Sequence, residues 1–265
     1  MNRGSALLAA GILAALLAGP VLTAHALVRH IAVMGGADEL PREFALSVVT
    51  VLALAALAPL VAIAAALPGV ARSTRDITRL RAGGQARNTF GISYVVIKSD
   101  LLSMFTAGLR RPTIFVTTAV ESRLSADQFR AGLLHEQAHR ERGDVLRRII
   151  LRVTQDAFGW LPGVRAMADA LVVRSECDAD RRAVDSGADS LALFEAIVAV
   201  AGVASPQPGL GSGQSLTRIL SLTDPSLAGP AVPRGGLVAL AGWQVALPLA
   251  AHAATVAGLA CATHL

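Results

Sequence analysis

Cysteine is almost missing. Cys177 lies among charged residues and Cys261 near the end of a long apolar run. The pair is badly placed to bridge, and neither has the spacing of a cysteine-based zinc site, so a disulfide scaffold and a zinc-finger-like module are both excluded. Internal repeats are absent, which removes solenoid architectures. Tyr94 is the only tyrosine, so a phenolic catalytic donor has one possible source. The basic cluster Arg72, Arg75, Arg79, Arg81 and Arg87 has no aromatics interleaved with it. It adjoins an apolar run, a pattern that points to anionic lipid as the partner and not to direct nucleic-acid binding.

Charge is missing in three long stretches. Residues 5–28, 44–67 and 235–265 contain no Asp, Glu, Lys or Arg, and the mean hydropathy of the 265-residue chain is +0.54. A bilayer core needs about 20 apolar residues of helix, so these runs predict about three transmembrane helices, near 6–28, 44–67 and 236–259. Ala24-His25-Ala26 resembles a signal-peptidase site, but the run before it is longer than a usual signal core, which favours a retained helix. Arginines cluster after the second run and precede the third. By the positive-inside rule, the segment between them faces the cytoplasm. The expected organisation is residues 1–70 with two spans, 71–225 as one domain, and 226–265 as linker and third span. Residues 205–214, SPQPGLGSGQ, read as a flexible linker.

Within the central domain, 93–99 and 112–118 are rich in β-branched and aromatic residues and predict strands, with a turn or bulge near Gly108 between them. The second strand is a candidate for binding an extended substrate as an added strand. Helical periodicity then takes over. Ser125 and Gln128 form a capping-box pattern for a helix running to Arg142, with Gly143 beyond its end and Asp144 capping the next helix. A third helix spans roughly 164–186 and a fourth runs from Asp189 or Ser190 to near 203. The expected class is mainly α with a small sheet, an α+β zincin-like domain carried by the transmembrane helices.

The chemistry lies in LLHEQAHRERGD, residues 133–144. His135 and His139 are four apart on one helix, so their imidazoles share a face one turn apart. Two neutral imidazoles suit zinc, and a catalytic zinc takes a third protein ligand and keeps one position for water. Glu136 lies beside that face as a general base. The other histidines, His25, His30, His252 and His264, are in or next to the apolar runs and are poor ligands. Downstream, SECDADRRAVD places Glu176 and Asp180 on one face of the third helix, with Ala183 continuing it. That makes Glu176 the candidate third ligand and Asp180 the carboxylate that accepts a histidine N–H and fixes its tautomer. Asp178, Asp185 and Cys177 are the competitors, each off that face.

HEQAHRERGD followed by ECDADRRA resembles the BlaR/MecR-type integral-membrane zinc peptidases, over roughly residues 70–225. Arg142 and Asp144 match residues that family often has after H-E-x-x-H, Glu176 and Asp180 match its E-x-x-x-D, and residues 105–118 resemble its strand region. The resemblance implies one zinc ion, a bacterial inner-membrane location and a protein substrate, with a BlaI/MecI-like repressor as the type case. The HtpX/CAAX-protease group shares E-x-x-A-D, which Glu176, Ala179 and Asp180 also fit. No Ser-x-x-Lys nucleophile of an attached penicillin-binding sensor occurs. A further alternative is a non-catalytic zinc-binding membrane scaffold.

Overall fold

The computed structural model describes residues 67–203 and 230–243, with isolated positions at Val61, Ala64, Ala65, Arg218, Ala246 and Ala253. The described residues fall into two compact units. One comprises 68–151 and 168–232; the other comprises 152–167 and, from 233 onward, the last described stretch.

The first unit holds a four-stranded mixed sheet of order β1-β2-β4-β3. β1 (Gln85–Thr89) and β2 (Ile92–Ile97) form an antiparallel hairpin. Its two-residue loop has positive φ at both positions, 56° at Phe90 and 77° at Gly91, the primed-turn geometry that matches strand twist. β4 (Thr113–Thr117) runs parallel to β2, and β3 (Met104–Ala107) pairs antiparallel with β4. Ile114, Phe115 and Val116 are completely buried, as expected of a central strand.

This arrangement corrects the expected substrate strand. β4 has β2 on one side and β3 on the other, so its backbone donors and acceptors are already used. The strand with an outer edge on this side of the sheet is β3.

Between 118 and 203 the described residues form α1 (Thr118–Arg123), α2 (Ala126–Arg142), α3 (Asp144–Phe158), α4 (Val164–Asp185) and α5 (Ser190–Val203). The capping box of α2 is formed: Ser125 Oγ accepts from the Gln128 N–H and Gln128 Oε1 accepts from the Ser125 N–H. Gly143, at φ 68°, ends α2 in the left-handed region, which costs glycine little. α3 starts at the next residue, so Asp144 folds back beside the last turn of α2. Leu133 of α2 packs into the core formed by the sheet. Ala131 of the same helix clusters with Ala183 of α4 and with Ala192 and Leu193 of α5. Small side chains at 131 and 183 let α4 approach α2 closely.

In the second unit, Ala157, Phe158 and Val164 form a small core with Leu161, Leu240 and Trp243. Trp160 meets Trp243 edge to face at 5.0 Å.

The transmembrane part of the expected class is overturned: among the described residues, no helix is long and apolar enough to cross a membrane. The longest, α4 with 22 residues, is charged from Arg165 to Asp185, and the apolar α5 has only 14. The helical residues 67–83 carry four arginines and Asp76. The runs 6–28 and 44–67 lie almost wholly outside the described residues, as do most of 236–259 and the linker 205–214. Two members of the basic cluster are engaged within the domain. Arg81 Nη2 donates to Arg111 O and to Thr113 Oγ1, and Arg87 pairs with Glu121 at 3.1 Å.

Candidate metal centre

α2 presents His135 and His139 on its buried face, with the rings edge to face and their Nε2 atoms 3.0 Å apart. α4 brings in Glu176. Its Oε2 lies 3.6 Å from His135 Nε2 and its Oε1 3.5 Å from His139 Nε2. Each of the three residues offers a ligand atom, and these atoms lie within 4.8 Å of one another. The group could hold a metal ion.

The spacing fits such an ion. Bonds of 2.0–2.2 Å in a tetrahedral site put ligand atoms roughly 3.3–3.6 Å apart, close to the observed 3.0, 3.5 and 3.6 Å. The far sides of both rings fit as well. His139 Nδ1 is hydrogen-bonded to Asp144 Oδ2 at 2.8 Å. His135 Nδ1 sits 2.8 Å from Asp180 Oδ1, with the N–H bent off the line to that oxygen. A carboxylate at Nδ1 holds the proton there and leaves the Nε2 lone pair facing inward. Two such lone pairs 3.0 Å apart repel unless a cation or a proton sits between them.

The carboxylates are themselves held. Asp180 has no solvent exposure and accepts two bonds from Arg218, at 2.8 and 2.7 Å. Arg218 Nη1 also lies 3.3 Å from Glu176 Oε2. Arg148 of α3 donates through Nη2 to Glu176 Oε1 and stands 3.4 Å from His139 Nε2. Asp144 is flanked by Arg147 at 3.3 Å and Arg142 at 3.5 Å.

These contacts set the protonation balance. Burial by itself would lower the His135 pKa, but the adjacent carboxylates of Asp180 and Glu176 outweigh it and raise it from 6.5 to about 9. His139 is raised in the same way, burial opposing and Asp144 and Glu176 prevailing. Burial pushes the Glu176 carboxyl up, yet its two histidine partners hold it well below its usual range. Asp180 is lowered against burial by Arg218 and His135, and Asp144 against burial by His139 and the neighbouring arginines. A metal therefore competes with protons for the two imidazoles.

Glu136 is 9 % exposed and lines the same cavity, of about 280 Å³. Among the described residues no side-chain hydrogen bond or ion pair engages its carboxylate. Its backbone carbonyl accepts from Thr106 Oγ1 at 2.9 Å, which ties strand β3 to the ligand helix. The cavity is also lined by the apolar side chains of Met104, Phe105, Leu193, Ala196 and Ile197.

Of the competing ligands, Asp178 turns to Arg142 at 3.0 Å and Asp185 is exposed. Cys177 is buried outside the donor group. Tyr94 bonds Glu121 and Thr89, not the centre. The other four histidines lie outside the described residues. Sequence reasoning expected one supporting carboxylate, and the structure has two. Asp144, read as a helix cap, also holds His139; its position five residues on, across a glycine, was the available signal. Arg148, four residues after Asp144 on the same helix, carried a weaker signal. Arg218, 38 residues beyond Asp180, carried none. No family model matches this chain, and no curated protein or solved structure matches it.

Proposed function

We propose that this chain is a zinc metalloendopeptidase in which His135, His139 and Glu176 hold the ion and Glu136 is the general base. One observation carries the reading: two imidazoles and a distant carboxylate converge in a cavity that also holds a buried glutamate whose carboxylate has no partner among the described residues. Zinc is the ion because two nitrogens and one carboxylate oxygen are its usual catalytic donor set, whereas magnesium and calcium favour oxygen. When bound, the ion supplies Lewis acidity to the scissile carbonyl and to water.

The chain's own groups do the rest. Asp180 and Asp144 keep the ligand rings in the orientation that exposes Nε2. Glu136 takes a proton from water as the water oxygen bonds to the carbonyl carbon and the carbonyl π pair moves to its oxygen. Breakage of the C–N bond then sends that proton from Glu136 to the departing amine, so one peptide and one water give one acid and one amine. The outer edge of β3, fixed to α2 through Thr106, is where an extended peptide adds as a strand. The apolar wall beside it suits apolar substrate side chains. Following the resemblance of the motifs, the substrate is a protein, with a BlaI/MecI-like repressor as the first to test.

Replacing Glu136 with Gln tests this directly. Zinc content should stay at the wild-type level, while hydrolysis of quenched fluorescent peptides and of a purified repressor falls about 100-fold or more. Full activity in this variant would remove the general-base role. Zinc binding without cleavage of any substrate by the wild type would favour a non-catalytic scaffold.

A further inference from the structure

We propose that Arg148 donates the hydrogen bond that stabilises the oxygen of the scissile carbonyl as it becomes an oxyanion. This rests on the peptidase reading above. The placement comes from α3: Asp144, its first residue, holds His139, and Arg148 one turn on reaches the same centre. The Arg148 guanidinium touches Glu176 Oε1, stands 3.4 Å from His139 Nε2 and lines the cavity with Glu136. An oxygen bonded to a carbon under attack beside Glu136 is therefore within its reach.

Its donors are suitably distributed. A guanidinium carries five N–H bonds in a rigid fork. Nη2 makes the contacts just named, and among the described residues no partner engages Nε or Nη1. The side chain is 49 % exposed and the residue lines the cavity, so its remaining donors are open to a substrate. Nearby cations are committed elsewhere. Arg218, at 16 % exposure, is bonded to Asp180 and Glu176. Arg142 pairs with Asp178 and Asp144, and Arg147 with Asp144. Tyr94, the only phenol, is tied to Glu121 and Thr89.

The gain is differential. A neutral carbonyl accepts a modest hydrogen bond, whereas the same oxygen bearing a full charge next to a fixed cation accepts a strong one. The interaction therefore belongs to the transition state and should appear in kcat.

The test uses the zinc-loaded full chain and Arg148→Met. We expect kcat on a quenched peptide to fall by about 10²–10³-fold with KM little changed. The affinity for a phosphinic analogue of that peptide, which mimics the tetrahedral state, should fall by the same factor as kcat/KM. Zinc stoichiometry should match the wild type. Should Arg148→Met lose zinc, Arg148→Lys keeps a charge beside Glu176 and reads the same two quantities. A kcat within threefold of wild type overturns the proposal. So does activity restored by added zinc, which would make Arg148 a positioning residue for Glu176. A loss seen only in KM, and only for peptides with a free C-terminal carboxylate, assigns it to substrate-terminus recognition instead. Failure of the wild type to cleave anything is a different result and removes the peptidase reading itself.

Discussion

Replacing Asp180 with Asn removes one charge and almost no volume, at the point where α4 supports both the ligand helix and Arg218. Asp180 takes the His135 Nδ1 contact at 2.8 Å and two Arg218 bonds at 2.7 and 2.8 Å. An amide offers a single acceptor oxygen, and its NH₂ would face donors. Two effects follow. Loss of a carboxylate behind a metal-binding histidine costs about 10–100-fold in metal affinity, or about 1.4–2.7 kcal/mol. Arg218, mostly buried at 16 % exposure, loses the charge of Asp180 while keeping its contact to Glu176, and breaking a buried pair costs about 3 kcal/mol or more. Domains have about 5–15 kcal/mol in hand, so the variant should fold with a lower Tm. A competition titration against a fluorescent chelator reads the first effect and a metal-free thermal melt the second. Asp178→Asn is the control. Asp178 is 39 % exposed, lies outside the donor group and reaches it only through Arg142 and Asp144, so zinc affinity should change much less than in Asp180→Asn. Wild-type zinc affinity in a folded Asp180→Asn variant would refute the supporting role.

Proton competition gives a second expectation. His135 is raised to about 9 and His139 is raised too, so zinc affinity should climb from pH 6 to about pH 9 with release of up to two protons, and then level off. The metal-free protein behaves oppositely: a folded-state pKa above the unfolded value gives stability that is complete below about pH 6.5 and lost as pH rises through about 9. Glu176, Asp180 and Asp144 are all lowered; their contribution is lost only in acid, so it is constant over this window. Melts with and without zinc across pH 6–9.5 check both signs, and a pH-independent zinc affinity contradicts them. Ser125→Ala removes half of the α2 capping box and should cost about 1 kcal/mol in a thermal melt with zinc affinity unchanged; a neutral effect would show that tertiary packing alone holds that helix end.

Helices were legible because their signals are local. The Ser125–Gln128 box, Gly143 and the apolar periodicity mark α2, and Glu176 and Asp180 could be placed on one face by counting. β1 was not legible: QARNT is polar and largely exposed, so it lacks the alternation that marks a strand. β3 is four residues long beside Gly108 and reads as part of a turn. Its pairing outside β4 is a matter of strand order, which pattern does not encode. The long apolar runs gave the strongest compositional signal, but most of their length lies outside the described residues. At the centre, side chains on the ligand helices were readable, whereas Arg218 is set there by chain topology alone.

Metal analysis of the purified full chain tests the central claim most directly. After dialysis against limiting zinc and removal of excess, mass spectrometry should find about one zinc per wild-type chain. Glu176→Ala, which removes the only ligand supplied by α4, should hold far less while keeping its helical circular dichroism. Equal zinc in the two proteins would contradict a centre shared between α2 and α4.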